Sequence, residues 1–395
     1  MQRKISKPSL LLLIVLVGFP QMSETMYTPS LPDIARHLGA SNNVIQLTLS
    51  VYFLGFAIGV FCWGRLSDSI GRRPAMLWGI LVYGLGSFGC YLANSADWLM
   101  ACRCIQAFGA STGSVVTQTM LRESYDAAKR HALFAQISAA LAFTPALGPL
   151  IGGWIDQALG FKAVFFVLVL ISIVLLSYAW NALPETRVTI PANIRISSVA
   201  KRLLTDSRIW AYGCLIGAAN GVLFSYYAEA PFIFIEYFHM NPGVYGFFGI
   251  FVALSSIGGA MLSKKWTSRR GPQSMILTGS FIAALGALCL LCLTLSGMQA
   301  SAGTLTGMVI CTFILLLGIG MSLPNCLSLA LTRYGDVLGT AGAIFGLGYY
   351  LIISLITSGM SLLHNGSLAT MPLYFLGLTA AMVLISRWLA KTATA

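Results

Sequence analysis

Long apolar stretches separated by short polar turns repeat along almost the whole chain. Twelve of these stretches have the ~20 mostly apolar residues with which an α-helix crosses a hydrocarbon core of roughly 30 Å. They cover approximately 10–29, 44–63, 75–93, 98–120, 132–153, 163–183, 209–231, 244–263, 274–296, 303–325, 338–361 and 371–390. The pattern therefore predicts an all-α membrane protein with twelve spans, whose surroundings are the lipid bilayer.

Composition agrees with this class, since 57% of the residues are hydrophobic and only 9% are charged. That balance is far from the composition of a soluble globular domain. The basic start followed by Leu10–Val17 is typical of a signal peptide, but no small-residue cleavage site follows, so we interpret it as an uncleaved first span. The nine cysteines fall in or at the ends of spans. They are interpreted as small apolar fillers, and neither a disulfide nor a metal site is expected.

The net charge of +12 is distributed unevenly between the two sides of the predicted membrane protein. Of the 24 Lys and Arg residues, 21 fall in the termini and the even-numbered turns, whereas only Arg36 and Lys162 lie on the other side. This asymmetry predicts that both termini are cytoplasmic. Because the basic residues are scattered over separate short turns, we do not expect a nucleic-acid partner.

The longest polar interruption, Pro184–Arg208, divides the spans into six and six. The predicted units are residues 1–183, a cytoplasmic linker at 184–208, and residues 209–395. Two turns at equivalent places support an internal repeat: Gly64–Pro74 follows the second span, and Lys264–Pro272 follows the eighth. Both contain paired arginines, Gly and Pro, but only the first contains an acid, Asp68. We expect two pseudo-symmetric six-helix bundles around a central cavity.

Three motifs make the interpretation specific. The first is the turn with Gly64, Asp68, Gly71, Arg72 and Arg73, the second is Arg103-x-x-Gln106-x-x-Gly109, and the third is Pro145-x-x-Gly148-Pro149-x-x-Gly152-Gly153. They resemble the signature turn, fourth-helix motif and fifth-helix exporter motif of the major facilitator superfamily. The stretches Met26–Pro32, Leu121–Tyr125 and Ala230–Glu236 are similar to its bicyclomycin- and chloramphenicol-resistance (Bcr/CflA) branch of drug:proton antiporters.

The resemblance implies roles for these motifs in gating. In the family, the signature turn is a latch between the two halves on the cytoplasmic side. The glycines of the fifth helix offer a surface for close helix packing, and its two prolines, Pro145 and Pro149, each remove an intrahelical hydrogen bond. Ordinary tight packing is the alternative interpretation of the fifth-helix motif.

Two charges, Glu24 and Arg103, lie well inside predicted spans, where an ionisable group is costly and indicates function. Glu24 shares a helix face with Gln21 and Thr28 and is expected to carry the coupled proton or to bind substrate; a structural carboxyl is the alternative. By resemblance, Arg103 is the cation that acts on this site. Related proteins usually have an Asp directly before the Met-Tyr pair, where this chain has Thr25. A shift of one residue turns a helical side chain by about 100°.

A larger set of polar and aromatic side chains is expected to line the substrate cavity. Aromatic rings tolerate partly apolar ligands and hold cations over their faces. Glu229, near the end of the seventh span, is expected to bind a cation or a second proton. His37, His131, His239 and His364 are predicted to lie in loops and receive no chemical role. The expected substrate-binding residues are Gln21, Glu24, Tyr27, Thr28, Tyr52, Phe143, Tyr226, Tyr227 and Glu229.

The resemblance implies a multi-pass, monomeric antiporter of the bacterial inner membrane that exports small amphiphilic compounds in exchange for protons by alternating access. No metal, cofactor or enzymatic activity is expected, and no phosphate-binding Gly-x-x-x-x-Gly-Lys stretch is present. The first alternative is a dedicated exporter of one metabolite, such as a carboxylate siderophore, which would use Arg103. A receptor or scaffold without transport is a second alternative, but duplicated halves argue against it.

Overall fold

The computed structural model describes residues 8–125, 133, 136–137, 140–187, 196–297 and 300–394. Within them, the first half of the chain contains seven helices. They are α1 (Leu10–Met26), α2 (Leu31–Leu38), α3 (Asn42–Ile70), α4 (Arg72–Tyr91), α5 (Ala96–Ser124), α6 (Thr144–Leu159) and α7 (Phe161–Ala182). A 3₁₀ turn, Thr28–Ser30, joins α1 to α2, so these two helices form the first span together.

A short helix in the linker, α8 (Ile196–Thr205), precedes the second half. The helices of that half are α9 (Ser207–Pro231), α10 (Pro242–Gly246), α11 (Phe248–Arg270), α12 (Pro272–Leu295), α13 (Ala302–Ala330), α14 (Leu338–Leu363) and α15 (Thr370–Thr394). A π-helical segment, Phe232–Tyr237, extends α9, and a 3₁₀ segment, Thr332–Val337, precedes α14. The fold is all-α, with two pseudo-symmetric six-helix bundles.

Ten helical segments of the described chain are long and apolar enough to cross a membrane. The two other predicted spans are α5 and α6. Polar residues such as Arg103, Gln106 and Glu123 lower the hydropathy of α5. Only sixteen residues of α6 are described as helix, and part of the predicted fifth span, including His131, lies outside the described residues.

The prediction of a tight turn over Gly64–Pro74 is wrong in its extent. Helix α3 continues to Ile70 and α4 begins at Arg72, so Gly71 alone breaks the helix, with φ 105° and ψ 161°. The second repeat does the same at Gly271, with φ 76° and ψ 158°. A positive φ suits glycine because it has no Cβ. We call the side with these two junctions the basic face, and the side with Gly39, Gly160 and His364 the opposite face.

Equivalent glycines pack the corresponding helices closely in both halves. A Cβ at Gly79 of α4 would overlap Thr112 of α5, and one at Gly279 of α12 would lie 2.6 Å from the Gly318 carbonyl oxygen of α13. Equivalent serines, Ser95 and Ser301, also accept a hydrogen bond from a backbone N–H in the first turn of α5 and α13. These shared contacts extend the repeat beyond the two glycine junctions.

The two halves contact each other near the opposite face. Helix α3 packs along α14, and α6 packs on α10 and α11. Side-chain hydrogen bonds cross the first seam, including Asn43 Nδ2 to the carbonyl oxygens of Ser361 and His364, both at 2.8 Å. Across the second seam, the Gly243 N–H donates to Gln157 Oε1 at 3.0 Å. This side of the molecule is therefore closed in the structure.

Candidate functional site

Arg103 is fully buried in α5 between two tyrosine rings. Its guanidinium carbon lies 3.9 Å from the ring centroid of Tyr27 and 4.3 Å from that of Tyr52. Nη1 donates to Gln106 Oε1 at 2.5 Å, and Gln106 Nε2 donates to Ser87 Oγ at 2.8 Å. Desolvated cation–π contacts of this kind stabilise the charge by about 2 kcal/mol or more. The aromatic rings thus hold a positive charge where water cannot solvate it.

The two rings are themselves fixed by hydrogen bonds. The hydroxyl groups of Tyr27 and Thr48 lie 3.1 Å apart, and the Tyr52 hydroxyl donates to the Pro20 carbonyl oxygen at 3.4 Å. Arg103 Nε and Nη2 are buried and have no hydrogen-bond acceptor within the described part of the chain. The guanidinium therefore retains donor capacity directed into the interior.

Glu24 lies near this cation, on the last turns of α1, and is only 7% exposed. The Arg103 guanidinium lies within electrostatic range of its carboxyl. The phenol groups of Tyr52, Tyr227 and Tyr350 lie within the same range of the carboxyl. Since Tyr227 belongs to α9 and Tyr350 to α14, the Glu24 carboxyl lies where the two halves meet.

Position 25 faces a different direction from position 24. Thr25 Oγ1 donates to the Gln21 carbonyl oxygen at 3.0 Å, and a Cβ added at Gly148 would overlap this hydroxyl. Thr25 thus faces α6, whereas Glu24 faces the tyrosines. An acid at position 25 of this chain would not occupy the place of Glu24.

Aromatic rings from the two halves also touch one another around the site. Phe53 and Phe224 have centroids 4.4 Å apart, and those of Phe56 and Tyr350 are 4.7 Å apart. Tyr350 continues this contact to Tyr349 at 4.5 Å. The predicted residues Tyr27, Tyr52 and Tyr227 are brought together here, while Tyr349 and Tyr350 extend the cluster from α14.

Four other predicted substrate residues lie apart from this cluster or only at its margin. Tyr226 is buried against α11 and α13, where it lines a small crevice with Phe248 and Phe251. Phe143 precedes α6 and is 58% exposed, and no ring contact joins it to the cluster in the described residues. Gln21 is half-buried. Thr28 is buried, and its hydroxyl donates to the Thr25 carbonyl oxygen at 2.8 Å.

Glu229 takes part in a separate network at the opposite face. Its Oε2 accepts from Gln46 Nε2 at 2.7 Å, and its two oxygens lie 2.8 and 2.9 Å from His364 Nδ1. The prediction that His364 lies in a loop is correct, because His364 directly follows α14. Its side chain is only 8% exposed, however, and its contact with Glu229 was not predicted. The sequence contains no motif for this pair, because 135 residues separate its two members.

At the basic face, Arg72 contacts three acids, which come from α3, α5 and the segment that follows α7. Nη1 contacts Asp68 at 2.5 Å, and Nη2 contacts Glu123 at 2.6 Å. The Glu185 carboxylate accepts from the Arg72 N–H at 2.9 Å and the Arg73 N–H at 3.2 Å. An anion at the N-terminus of a helix is favourable because the first N–H groups have no intrahelical acceptor. These contacts tie the signature turn to α5 and to the start of the linker.

Replacing Gly71 by alanine should destabilise the protein by more than the same change at Gly271. Both residues have positive φ, but a Cβ at Gly71 would lie 2.5 Å from Glu185 Oε2, whereas nothing lies within 4 Å of one at Gly271. We expect about 1–2 kcal/mol of backbone strain in each variant, with a further loss from displacing Glu185 in Gly71→Ala only. Thermal unfolding of both purified variants measures this difference, and equal losses would contradict it.

The glycines of the fifth-helix motif lie against other backbones. A Cβ at Gly152 would overlap the Met26 carbonyl oxygen of α1, and one at Gly153 would overlap the Pro242 carbonyl oxygen of α10. Pro149 is buried within α6, and its carbonyl oxygen would lie 2.7 Å from a Cβ at Gly246. Pro145 stands in the first turn, where a proline removes no intrahelical bond, so the expectation for Pro145 is wrong.

Comparisons with known proteins agree with this architecture. The model of the Major Facilitator Superfamily matches residues 13–357. A protein of Rickettsia bellii (strain RML369-C) named "Uncharacterized transporter" is 33% identical over 384 residues, which cover 95% of each chain. The chloramphenicol resistance protein of Pseudomonas aeruginosa is 29% identical over 365 residues, covering 91% of this chain and 85% of the relative.

A solved structure of the xylose transporter XylE from E. coli, in a partially occluded inward-open conformation, has the same fold. It superposes with a TM-score of 0.75 at 13% sequence identity, over 97% of this chain and 96% of that chain. Because the family model spans most of the sequence and the relatives match nearly end to end, the chain belongs to the Major Facilitator Superfamily.

Proposed function

We propose that this transporter exports small amphiphilic compounds in exchange for protons, by alternating access. The observation that carries the proposal is that the Glu24 carboxyl and the Arg103 guanidinium are both buried where the two halves meet, among tyrosines from both halves. A carboxyl in such a place can take up and release a proton as the halves move, because its surroundings change with the conformation.

The closed opposite face is consistent with one end state of such a cycle. We infer that the basic face is cytoplasmic and that the chain resides in a bacterial inner membrane as a monomer, with residues 1–183 and 209–395 as the moving halves. The signature turn would then remain near the cytoplasmic entrance. Its contacts to Glu123 and Glu185 support a role in stabilising the first half. We also propose that this turn acts as a latch between the two halves.

The name of the Pseudomonas relative supports a neutral, partly apolar substrate such as chloramphenicol. The aromatic cluster of Tyr52, Tyr227 and Tyr350 suits such a compound, since apolar walls with a few polar groups bind it by burial and orient it by hydrogen bonds. Glu24 would additionally favour a cation. We therefore place neutral and cationic amphiphiles in the substrate class.

A second candidate is the export of an anionic metabolite such as a carboxylate siderophore. One observation favours it: Arg103 Nε and Nη2 are buried without acceptors in the described part of the chain. A carboxylate could accept from both, since guanidinium and carboxylate groups form bidentate pairs.

Purified protein in liposomes with an acidic interior should accumulate external chloramphenicol or tetraphenylphosphonium. A difference of about one pH unit stores about 1.4 kcal/mol per proton, enough for roughly tenfold accumulation. The measurement is uptake of radiolabelled compound, with citrate as the anionic probe and protein-free liposomes as the control.

A protonophore should abolish this accumulation. Uptake that persists after the gradient collapses would contradict proton coupling. Accumulation of citrate without either amphiphile would instead favour the second candidate.

A further inference from the structure

A second ionisable cluster, distinct from the one around Glu24, joins the two halves at the opposite face. Glu229 of α9 and His364 at the end of α14 belong to the second half, whereas Gln46 belongs to α3 of the first. The side chains of Glu229 and His364 are only 3% and 8% exposed. A buried carboxylate that accepts from a ring N–H and an amide makes a strong link, because charge-assisted hydrogen bonds gain strength where water is excluded.

The surrounding contacts place this cluster directly on the seam. Asn43 Nδ2 of α3 donates to the His364 carbonyl oxygen, so the same residue is held through both its backbone and its ring. Two turns further along α3, the Ser50 carbonyl oxygen accepts from Ser354 Oγ at 2.8 Å. Separation of α3 from α14 would thus break the Gln46–Glu229 hydrogen bond together with the hydrogen bonds of Asn43 and Ser50.

We propose that His364 is a proton-binding residue that closes the opposite face when it is protonated. With the proposed orientation, this face opens to the outside, where protons are more abundant. When it is open, the ring can take up a proton from water; imidazolium and the Glu229 carboxylate then form an ion pair, and Gln46 joins the pair to the first half. This inference rests on the alternating access proposed above and adds a second site at which protons bias the cycle.

The sign of the pH dependence follows from linkage. A histidine that gains a carboxylate partner on closure binds its proton more tightly in the closed state, so a fall in pH favours closure. Histidine is the side chain whose ordinary titration range lies between about pH 5 and 8. Closure should therefore strengthen as the pH falls through that range.

Other charged groups on the neighbouring elements have partners of their own. Asp33 and Arg36 of α2 lie 3.8 Å apart. Glu236 of the π-helical segment accepts from Asn42 Nδ2 at 3.3 Å. His37 was predicted to lie in a loop but lies in α2, where its ring packs on Phe161 with the centroids 5.1 Å apart. No other titratable side chain is hydrogen-bonded to the Glu229 carboxylate among the described contacts, so His364 is the residue to test.

Spin labels at Ser41 and Leu373 would report the opening of this face. Both residues are exposed, and they lie on opposite sides of the seam. The experiment uses the full chain with its nine native cysteines replaced, in lipid nanodiscs and without substrate. Pulsed electron–electron double resonance measures the distance between the two labels at pH values from about 8 to about 5, the range in which histidine titrates. The distance distribution at each pH gives the ratio of closed to open molecules.

In the otherwise native chain we expect the closed-to-open ratio to rise by roughly tenfold as the pH falls, the change produced by about one charge-assisted hydrogen bond. His364→Asn and Glu229→Gln should both abolish that rise, and Gln46→Leu should lower the ratio at every pH. Glu236→Gln is the matched control, because it removes a carboxylate of the same face that has no histidine partner, and its pH response should match that of the parent.

A flat response in the parent, a ratio that falls with acid, or an unchanged response in His364→Asn would overturn the inference. An equal effect of Glu236→Gln would also overturn it. Because no substrate is present, the distances do not depend on whether drugs are transported. The uptake assay tests proton-coupled export separately. A failure of the proposal for His364 can therefore be told from a failure of the proposed function.

Discussion

Replacing Glu24 by glutamine should abolish substrate-driven proton release in proteoliposomes while the protein still folds and reaches the membrane. The variant keeps the shape of the side chain and loses the group that exchanges a proton. We expect coupled transport to fall by roughly tenfold or more, because no other carboxyl is found in the aromatic site of the described residues.

The size of this effect follows from the position of Glu24. Its carboxyl lies within electrostatic range of Arg103 in the first half and of Tyr227 and Tyr350 in the second half. A change in its protonation therefore alters interactions on both sides of the interface between the halves. Glutamine also leaves the Arg103 charge without a nearby carboxylate, which is unfavourable for a buried cation.

Three variants separate proton exchange from general damage. Glu24→Asp keeps an exchangeable proton and should retain part of the coupled transport. Glu236→Gln removes a half-buried carboxyl from the opposite face and should leave coupling near that of the parent. Release of protons by substrate, followed with a pH-sensitive dye, is the measurement. Full coupling in Glu24→Gln would contradict the role assigned to this residue.

The double variant Glu24→Gln, Thr25→Asp tests the direction of the side chain. It places the acid directly before the Met-Tyr pair, as the family resemblance would, but Thr25 faces Gly148 of α6 in this chain. We therefore expect no recovery of coupling. A recovery would show that α1 can rotate enough to present position 25 to Arg103.

The sequence predicted the helical architecture well because its main signal is local. Uninterrupted apolar stretches define the spans, and the repeated glycine junctions define the two halves. The exact ends of the helices were less predictable. Leu66 and Ile70 continue the helical spacing of apolar residues beyond the hydrophobic stretch, so α3 runs to Gly71 although the residues between them are polar.

The aromatic site was predictable in part. Glu24 and Arg103 were identified because each charge stands alone in an apolar stretch, and Tyr27 and Tyr52 do lie around Arg103. Tyr226 lies outside this site. It neighbours Tyr227 in sequence, but adjacent residues on a helix point about 100° apart, so Tyr226 faces the interior of the second half.

The cluster around Glu229 could not be predicted from the sequence. A histidine just after an apolar stretch has the pattern of an ordinary turn residue, and its partners come from distant parts of the chain. Only the packing of α3 against α14 brings Gln46 and His364 to the same carboxylate. Asp156 is a similar case, since it is buried near the end of α6 although its sequence neighbours indicate a polar helix end.

The neighbouring glycines Gly152 and Gly153 should respond to alanine in different ways. Gly152→Ala should destabilise the protein strongly, because the added methyl would overlap the Met26 carbonyl oxygen and force α6 away from α1. Overpacking of this kind typically costs about 1–3 kcal/mol and occasionally more. Transport should be lost as well, since Thr25 and the turn after α1 lie at the same contact.

Gly377→Ala in α15 is the matched control, because nothing lies within 4 Å of a Cβ at that position. Alanine is a better helix former than glycine by about 1 kcal/mol, so this variant should be as stable as the parent or more so. Thermal unfolding in detergent compares the three proteins. If Gly152→Ala unfolds at the same temperature as Gly377→Ala, the close contact between α6 and α1 does not limit stability.

Gly153→Ala should act on the cycle more than on the fold. Its added methyl would overlap the Pro242 carbonyl oxygen of α10, which belongs to the second half. The halves can relieve this overlap by separating, whereas α6 and α1 within one bundle have no such route. We therefore expect near-parent unfolding but a larger open fraction at the opposite face, measured by the distance between spin labels at Ser41 and Leu373. An unchanged distance distribution would mean that the overlap at Gly153 is relieved without opening this face.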